Sequence, residues 1–160
     1  MAVKFPSRRP TLLSVVMLAA LSLSLTDCSR KSPKMLYGSN CGICHHSGDG
    51  MPGSVPPLVG RIDKIASTPA GKQYLANVLM NGVSGPITAN GQPYNAEMPP
   101  FRYLKDDEVA QILSWLSVRG TTQPAPEFSA QDIAAARANR ISSGRVATER
   151  ETLNKTTPLP

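Results

Sequence analysis

An all-α fold of short helices joined by long loops is predicted for this 160-residue chain. Three observations carry that reading. Apolar residues recur at helical spacing in Tyr74, Leu75, Val78 and Leu79, and again in Val109, Ile112, Leu113 and Leu116. The 15 prolines and 12 glycines gather between such stretches, where they punctuate rather than continue an element. No convincing strand pattern is present. The length fits one domain with tails, and three cysteines are too few for a disulfide-stapled miniprotein.

Residues 1–27 read as an export signal. Lys4, Arg8 and Arg9 precede an apolar run, broken only by Ser and Thr, from Thr11 to Leu25. A membrane span needs about 20 apolar residues, so this run is short for an uncleaved anchor. Cys28 follows directly. Leu25-Thr26-Asp27-Cys28 is similar to a lipoprotein signal, except that Asp27 stands where such signals place a small residue. Cys28 is therefore read either as lipidated, which would account for the odd thiol, or as removed with the signal. Residues 28–33 are a polar linker and residues 34–120 the main domain.

Within that domain, Met35 to Asn40 opens a helix that runs into Cys41-Gly42-Ile43-Cys44-His45-His46. Ser47 to Gly60 is loop. Thr68 and Pro69 are an N-cap and first helical residue, and Asn81-Gly82 closes that helix. Gly82 to Pro100 is again loop, with a tight turn at Asn90-Gly91. Asp106, Asp107 and Glu108 favour the positive end of the next helix, which Arg119-Gly120 ends. Residues 121–140 are an appended linker and helix, the helix opened by a capping box at Ser129 to Asp132. Residues 141–160 are polar and aperiodic, and are predicted to be a disordered tail.

The net charge is +6, but from Cys28 onward there are 14 basic and 10 acidic residues. So modest and scattered an excess suits docking on acidic protein partners and not nucleic acid. Only 5% of residues are aromatic, which leaves little apolar mass for a core. A large apolar prosthetic group acting as the core resolves this, and long loops in a compact domain point the same way.

Cys41-x-x-Cys44-His45 supplies that group: it is the attachment signature of haem c. Cysteines three apart on a helical turn face one side and can add to two vinyl groups of one porphyrin. His45, next in sequence, then reaches the iron from that side. Haem is attached after export to an unfolded chain, which disfavours reading Ser7-Arg8-Arg9 as a folded-state export signal. A thiol–disulfide oxidoreductase would place the cysteines at a strand-to-helix turn, and no such pattern surrounds them. Zinc is disfavoured by crowding of Cys41, Cys44, His45 and His46 and by the lack of a second ligand pair.

The sixth iron ligand follows by elimination. The chain has two histidines, and His46 is too close to His45 to cross the ring, so bis-histidine ligation is excluded. Met35 precedes the attachment helix, and Met51 lies only six residues past His45. Met80 falls on a helix face expected to be core. Met98 lies 53 residues past His45, in a loop stiffened by Pro99 and Pro100, and is the expected distal ligand. A Met/His iron is coordinatively full and exchanges electrons rather than binding substrate.

These motifs, with Pro56-Pro57-Leu58-Val59-Gly60 and a following helix carrying Trp115, resemble the class I cytochromes c over about residues 34–120. The resemblance implies an all-α cytochrome c fold around one covalent haem c, and single-electron transfer between redox proteins. It further implies that the Pro56 carbonyl accepts a hydrogen bond from the proximal histidine, His45. Gly82-x-x-Gly85-Pro86-Ile87-Thr88-x-Asn90-Gly91-x-x-Tyr94 is similar to a narrower group, monohaem domains that serve periplasmic or membrane-bound dehydrogenases or are fused to copper nitrite reductases. Tyr94 is read as reaching a haem propionate or as a loop anchor, and Trp115 as packing near the haem or as plain core. Arg61, Lys64, Lys72, Arg102 and Lys105 are read as a cationic ring steering a partner, or as solvated surface. The expected location is the periplasm, with a membrane tether if Cys28 is lipidated. Expected partners are redox proteins (a dehydrogenase, oxidase or reductase), with no nucleic acid and no small-molecule substrate. A haem enzyme or ligand sensor with a labile sixth ligand, and the thiol–disulfide oxidoreductase, are the alternatives.

Overall fold

The computed structural model describes residue 1 and residues 31–160. Residues 2–27 of the predicted signal, and Cys28, lie outside the described residues. Helix α1 (Pro33–Asn40) starts at Ser32, whose side chain accepts from the Met35 amide, with Pro33 fixing the first turn. The chain turns at Cys41 into α2 (Gly42–His45), one turn long, and leaves it through His46 at positive φ. Loop 47–61 leads to α3 (Ile62–Ile65) and to α4 (Pro69–Asn81), capped by the Thr68 hydroxyl.

Where sequence reading finds only loop, a two-stranded hairpin forms. β1 (Ile87–Ala89) pairs antiparallel with β2 (Gln92–Tyr94), in a register that sets Ile87 opposite Tyr94. Three residues per strand are too few for an alternation to register in sequence, but Asn90 and Gly91, both at positive φ, make the turn that the Asn-Gly pair favours. Helix α5 (Asp106–Val118) follows, and at its start the Lys105 amide donates to the Glu108 carboxylate at 2.9 Å. Helix α6 (Ala130–Ala138) carries the reciprocal Ser129–Asp132 capping box.

The tail corrects the expectation of disorder. Residues Ser143–Thr156 form a helix, α7, capped by the Ser142 hydroxyl. Val146 and Ala147 are buried, and α7 packs on α4 and the hairpin. The helix is polar around most of its circumference, so its narrow buried stripe escapes a reading based on hydropathy. Among the described residues, no helix is long and apolar enough to cross a membrane.

The core lies between α1, α4 and α5, with Ile133 of α6 and Val146 of α7 closing it at the side. Asp63 ties the appended linker to this core. Its Oδ2 accepts from the amides of Thr121 and Thr122 and from the Thr122 hydroxyl. Burial opposes ionisation there, but those donors prevail and hold the carboxyl below its ordinary range.

Candidate functional site

A crevice opens where the attachment helix faces the hairpin and the loop before α5. It has two adjoining parts, with cavity volumes of about 80 and 290 Å³. Both are walled by Cys41, His45, Pro56, Val83, Ile87 and Met98, and the outer part also reaches Cys44 and Tyr94. Ile112, Leu113 and Leu116 of α5 form the apolar back wall.

The one-turn helix α2 explains how the expected attachment residues converge. Cys41 is buried and Cys44 exposed, so the two sulfurs sit at the inner and outer ends of the same opening. Burial pushes the Cys41 thiol up to about 11, with the neighbouring Cys44 adding to the shift. A redox dithiol needs the opposite, a stabilised thiolate. His45 is buried, and its Nδ1 lies 3.0 Å from the Pro56 carbonyl oxygen. Burial lowers its basicity and the Pro56 bond partly restores it. With Nδ1 as the donor, Nε2 is left as a free lone pair. Gly50 makes this approach possible. It holds φ +68°, and a Cβ on it would stand 2.7 Å from the Pro56 oxygen.

Among the four methionines of the described main domain, the structure separates one from the rest. Met98 lines the crevice and is fixed by a two-way backbone bridge to Val83, at 2.9 and 3.0 Å. Met80 is 0% exposed within the core and lines neither part. Met35 and Met51 are 60% and 38% exposed and also lie off the crevice.

Tyr94 is buried in the crevice wall, opposite Ile87 across the hairpin. Trp115 is not part of the wall. At about 100° per residue, Ile112, Leu116 and Leu113 share one arc of α5, and Trp115 falls on its flank toward α1. There it packs on Tyr37 at 5.0 Å, with the Arg119 guanidinium 4.7 Å from its ring. The structure thus places Trp115 against the core between α1 and α5.

The cationic ring also needs correcting. Arg61 is buried in the crevice, donating to Pro57 and Pro160 oxygens. Burial, then the charge of Arg150, push its pKa down to about 10. Arg102 is drawn inward to Met80 and Asn81, and Lys72 pairs with Asp132 at 3.6 Å. Sequence reading misses Arg150 of α7 altogether, because it lies in the stretch expected to be disordered. It is buried beside Arg61, donating to Thr88 and Pro160. A signal is nonetheless present: Val146, Arg150 and Leu153 recur at helical spacing behind the Ser142 cap. Among the described residues, no Asp or Glu side chain pairs with either guanidinium. Both guanidiniums are held by main-chain oxygens of Pro57 and Thr88 and by the terminal Pro160 oxygen, and two buried cations in an otherwise apolar crevice fit a macrocycle whose rim bears acidic groups.

Residues 29–116 match the family model described as "Cytochrome C oxidase, cbb3-type, subunit III". Two curated relatives, both from Thermus thermophilus, are named cytochrome c-552. One, from strain ATCC 27634 / DSM 579, is 32% identical over 149 residues, covering 89% of this chain and 96% of its own. The other is 34% identical over 121 residues, covering 72% and 92%.

Proposed function

We propose, for a chain that belongs to the class I cytochromes c, that Cys41 and Cys44 attach its one haem c and that His45 and Met98 are the axial ligands. The chain is an electron-transfer protein, and its partners are redox proteins. The observation that carries the ligand set is the meeting of Cys41, Cys44, His45 and Met98 in one crevice, with the His45 ring held by Pro56. When bound, the haem supplies one-electron chemistry at an iron whose potential is raised by a Met/His pair. The chain's own residues do the rest. Pro56 orients the imidazole and strengthens it as a donor. The Val83 bridge holds the Met98 backbone. Ile112, Leu113 and Leu116 exclude water, and Arg61 and Arg150, which also line the crevice, would hold the acidic groups of the haem.

The basic and apolar pattern of residues 1–27 supports export to the periplasm, and Cys28 supports a lipid tether there. Two acyl chains give stable retention where one is marginal. A tether would favour membrane-bound redox partners by raising their effective concentration. Mass spectrometry of the mature N-terminus tests this: an unmodified N-terminus beyond Cys28 would leave a soluble carrier. For the haem itself, Cys41→Ala with Cys44→Ala should abolish colour that survives acid–acetone extraction. Retention of covalent haem in that double variant would contradict the attachment reading.

A further inference from the structure

Met98 stands at the start of a loop that has few ways to hold itself in place. Pro99 and Pro100 have no N–H to donate. One edge is fastened by the Val83 bridge and by the Phe101 amide, which donates to the Leu79 carbonyl at 2.7 Å. The other edge is fastened by two arginines that clasp each other's backbone. Arg137, from the appended helix α6, donates through Nη1 to the Arg102 carbonyl and through Nη2 to the Leu104 carbonyl, both at 2.6 Å. Its Nε pairs with Asp106 at 2.6 Å. In return, Arg102 Nη2 donates to the Arg137 carbonyl, and its Nη1 to Met80 O at 3.0 Å and Asn81 Oδ1 at 3.2 Å. Asn81 Nδ2 closes the ring onto the Asn139 carbonyl. The planar guanidinium fork makes these bonds together, which a lysine cannot do.

We propose that Arg102 and Arg137 are positioning residues that set how readily the Met98 sulfur leaves the iron. Helix α6 is the latch: swinging the loop away from the crevice requires the Arg137 fork to release both carbonyls. This rests on Met98 as the distal ligand.

The test uses oxidised holoprotein titrated with imidazole, a ligand that competes for the sixth site, and reads the loss of the weak far-red sulfur-to-iron band. Arg137→Met and Arg102→Met should bind imidazole about tenfold more tightly or better. Arg137→Lys, a milder change that keeps the charge facing Asp106 but not the fork, should also bind it more tightly. Leu36→Ala destabilises the core from α1, far from the clasp in the chain, and should keep wild-type imidazole affinity. Wild-type affinity in the Arg137 and Arg102 variants, or an equal gain in Leu36→Ala, would overturn the proposal. Met98→Ala separates the two layers: a band that survives it would refute the ligand reading instead.

Discussion

Gly50→Ala should weaken the proximal side of the site without touching a ligand. A Cβ at Gly50 would stand 2.3 Å from the Val55 oxygen and 2.7 Å from both the Pro56 carbonyl carbon and oxygen. Ordinary contact begins near 3.4 Å, so the Pro56 oxygen must recede by about 0.7 Å. A recession of that size along the line to His45 stretches the 3.0 Å bond to about 3.7 Å, outside hydrogen-bond range. Losing that bond at a buried ring costs about 1–3 kcal/mol, and alanine at positive φ about 1 kcal/mol more. A total near 3 kcal/mol lowers the melting temperature by roughly 6–12 °C in a chain of this size. The imidazole also becomes a weaker donor, which favours the reduced iron, so the reduction potential should rise. Spectroelectrochemistry and a thermal melt on the same holoprotein read both effects. Gly53→Ala is the control, because Gly53 has φ +75° but open space where its Cβ would sit. It should lose a little stability and keep its potential. A Gly50→Ala protein with wild-type potential, or an equal shift in Gly53→Ala, would refute the reasoning.

Two further outcomes follow from the buried charges. Arg150→Met removes a cation from the crevice wall and should lower the reduction potential, because ferric iron then meets less repulsion; an unchanged potential in the folded holoprotein would contradict the placement. Asp63 has its carboxyl held below the ordinary range, so its contribution is complete above the unfolded value near 4 and is lost as pH falls through the folded one. Denaturant unfolding from pH 7 to pH 3 should therefore show Asp63→Asn less stable at neutral pH, with the deficit narrowing in acid. A constant deficit would show that the stabilisation does not depend on ionisation.

The chemistry of the site is more legible in the sequence than its surroundings. The proposed attachment needs Cys41, Cys44 and His45 within one helical turn, so the signal is local and complete in five residues. Met98 can be reached because methionines and histidines are few and proline marks the loop. Arg61 and Arg150 cannot, since an arginine reads alike whether it is solvated or buried, and only the fold brings residues 61 and 150 together. Helix α7 is hidden for a related reason. Its buried stripe is only one or two residues wide per turn, and its stability comes from packing on α4 and the hairpin rather than from its own composition. The hairpin is similarly tertiary in origin, apart from its Asn-Gly turn. Trp115 differs from the crevice residues by an offset of one position along α5, which is enough to turn a side chain off the crevice.

The absorption spectrum of the oxidised holoprotein in the far red tests the central assignment most directly. The weak sulfur-to-iron band should be present in the wild type, absent in Met98→Ala, and intact in Met80→Ala, whose side chain lies in the core and off the crevice. A band that survives Met98→Ala and vanishes in Met80→Ala would contradict the crevice as described and move the distal ligand to α4.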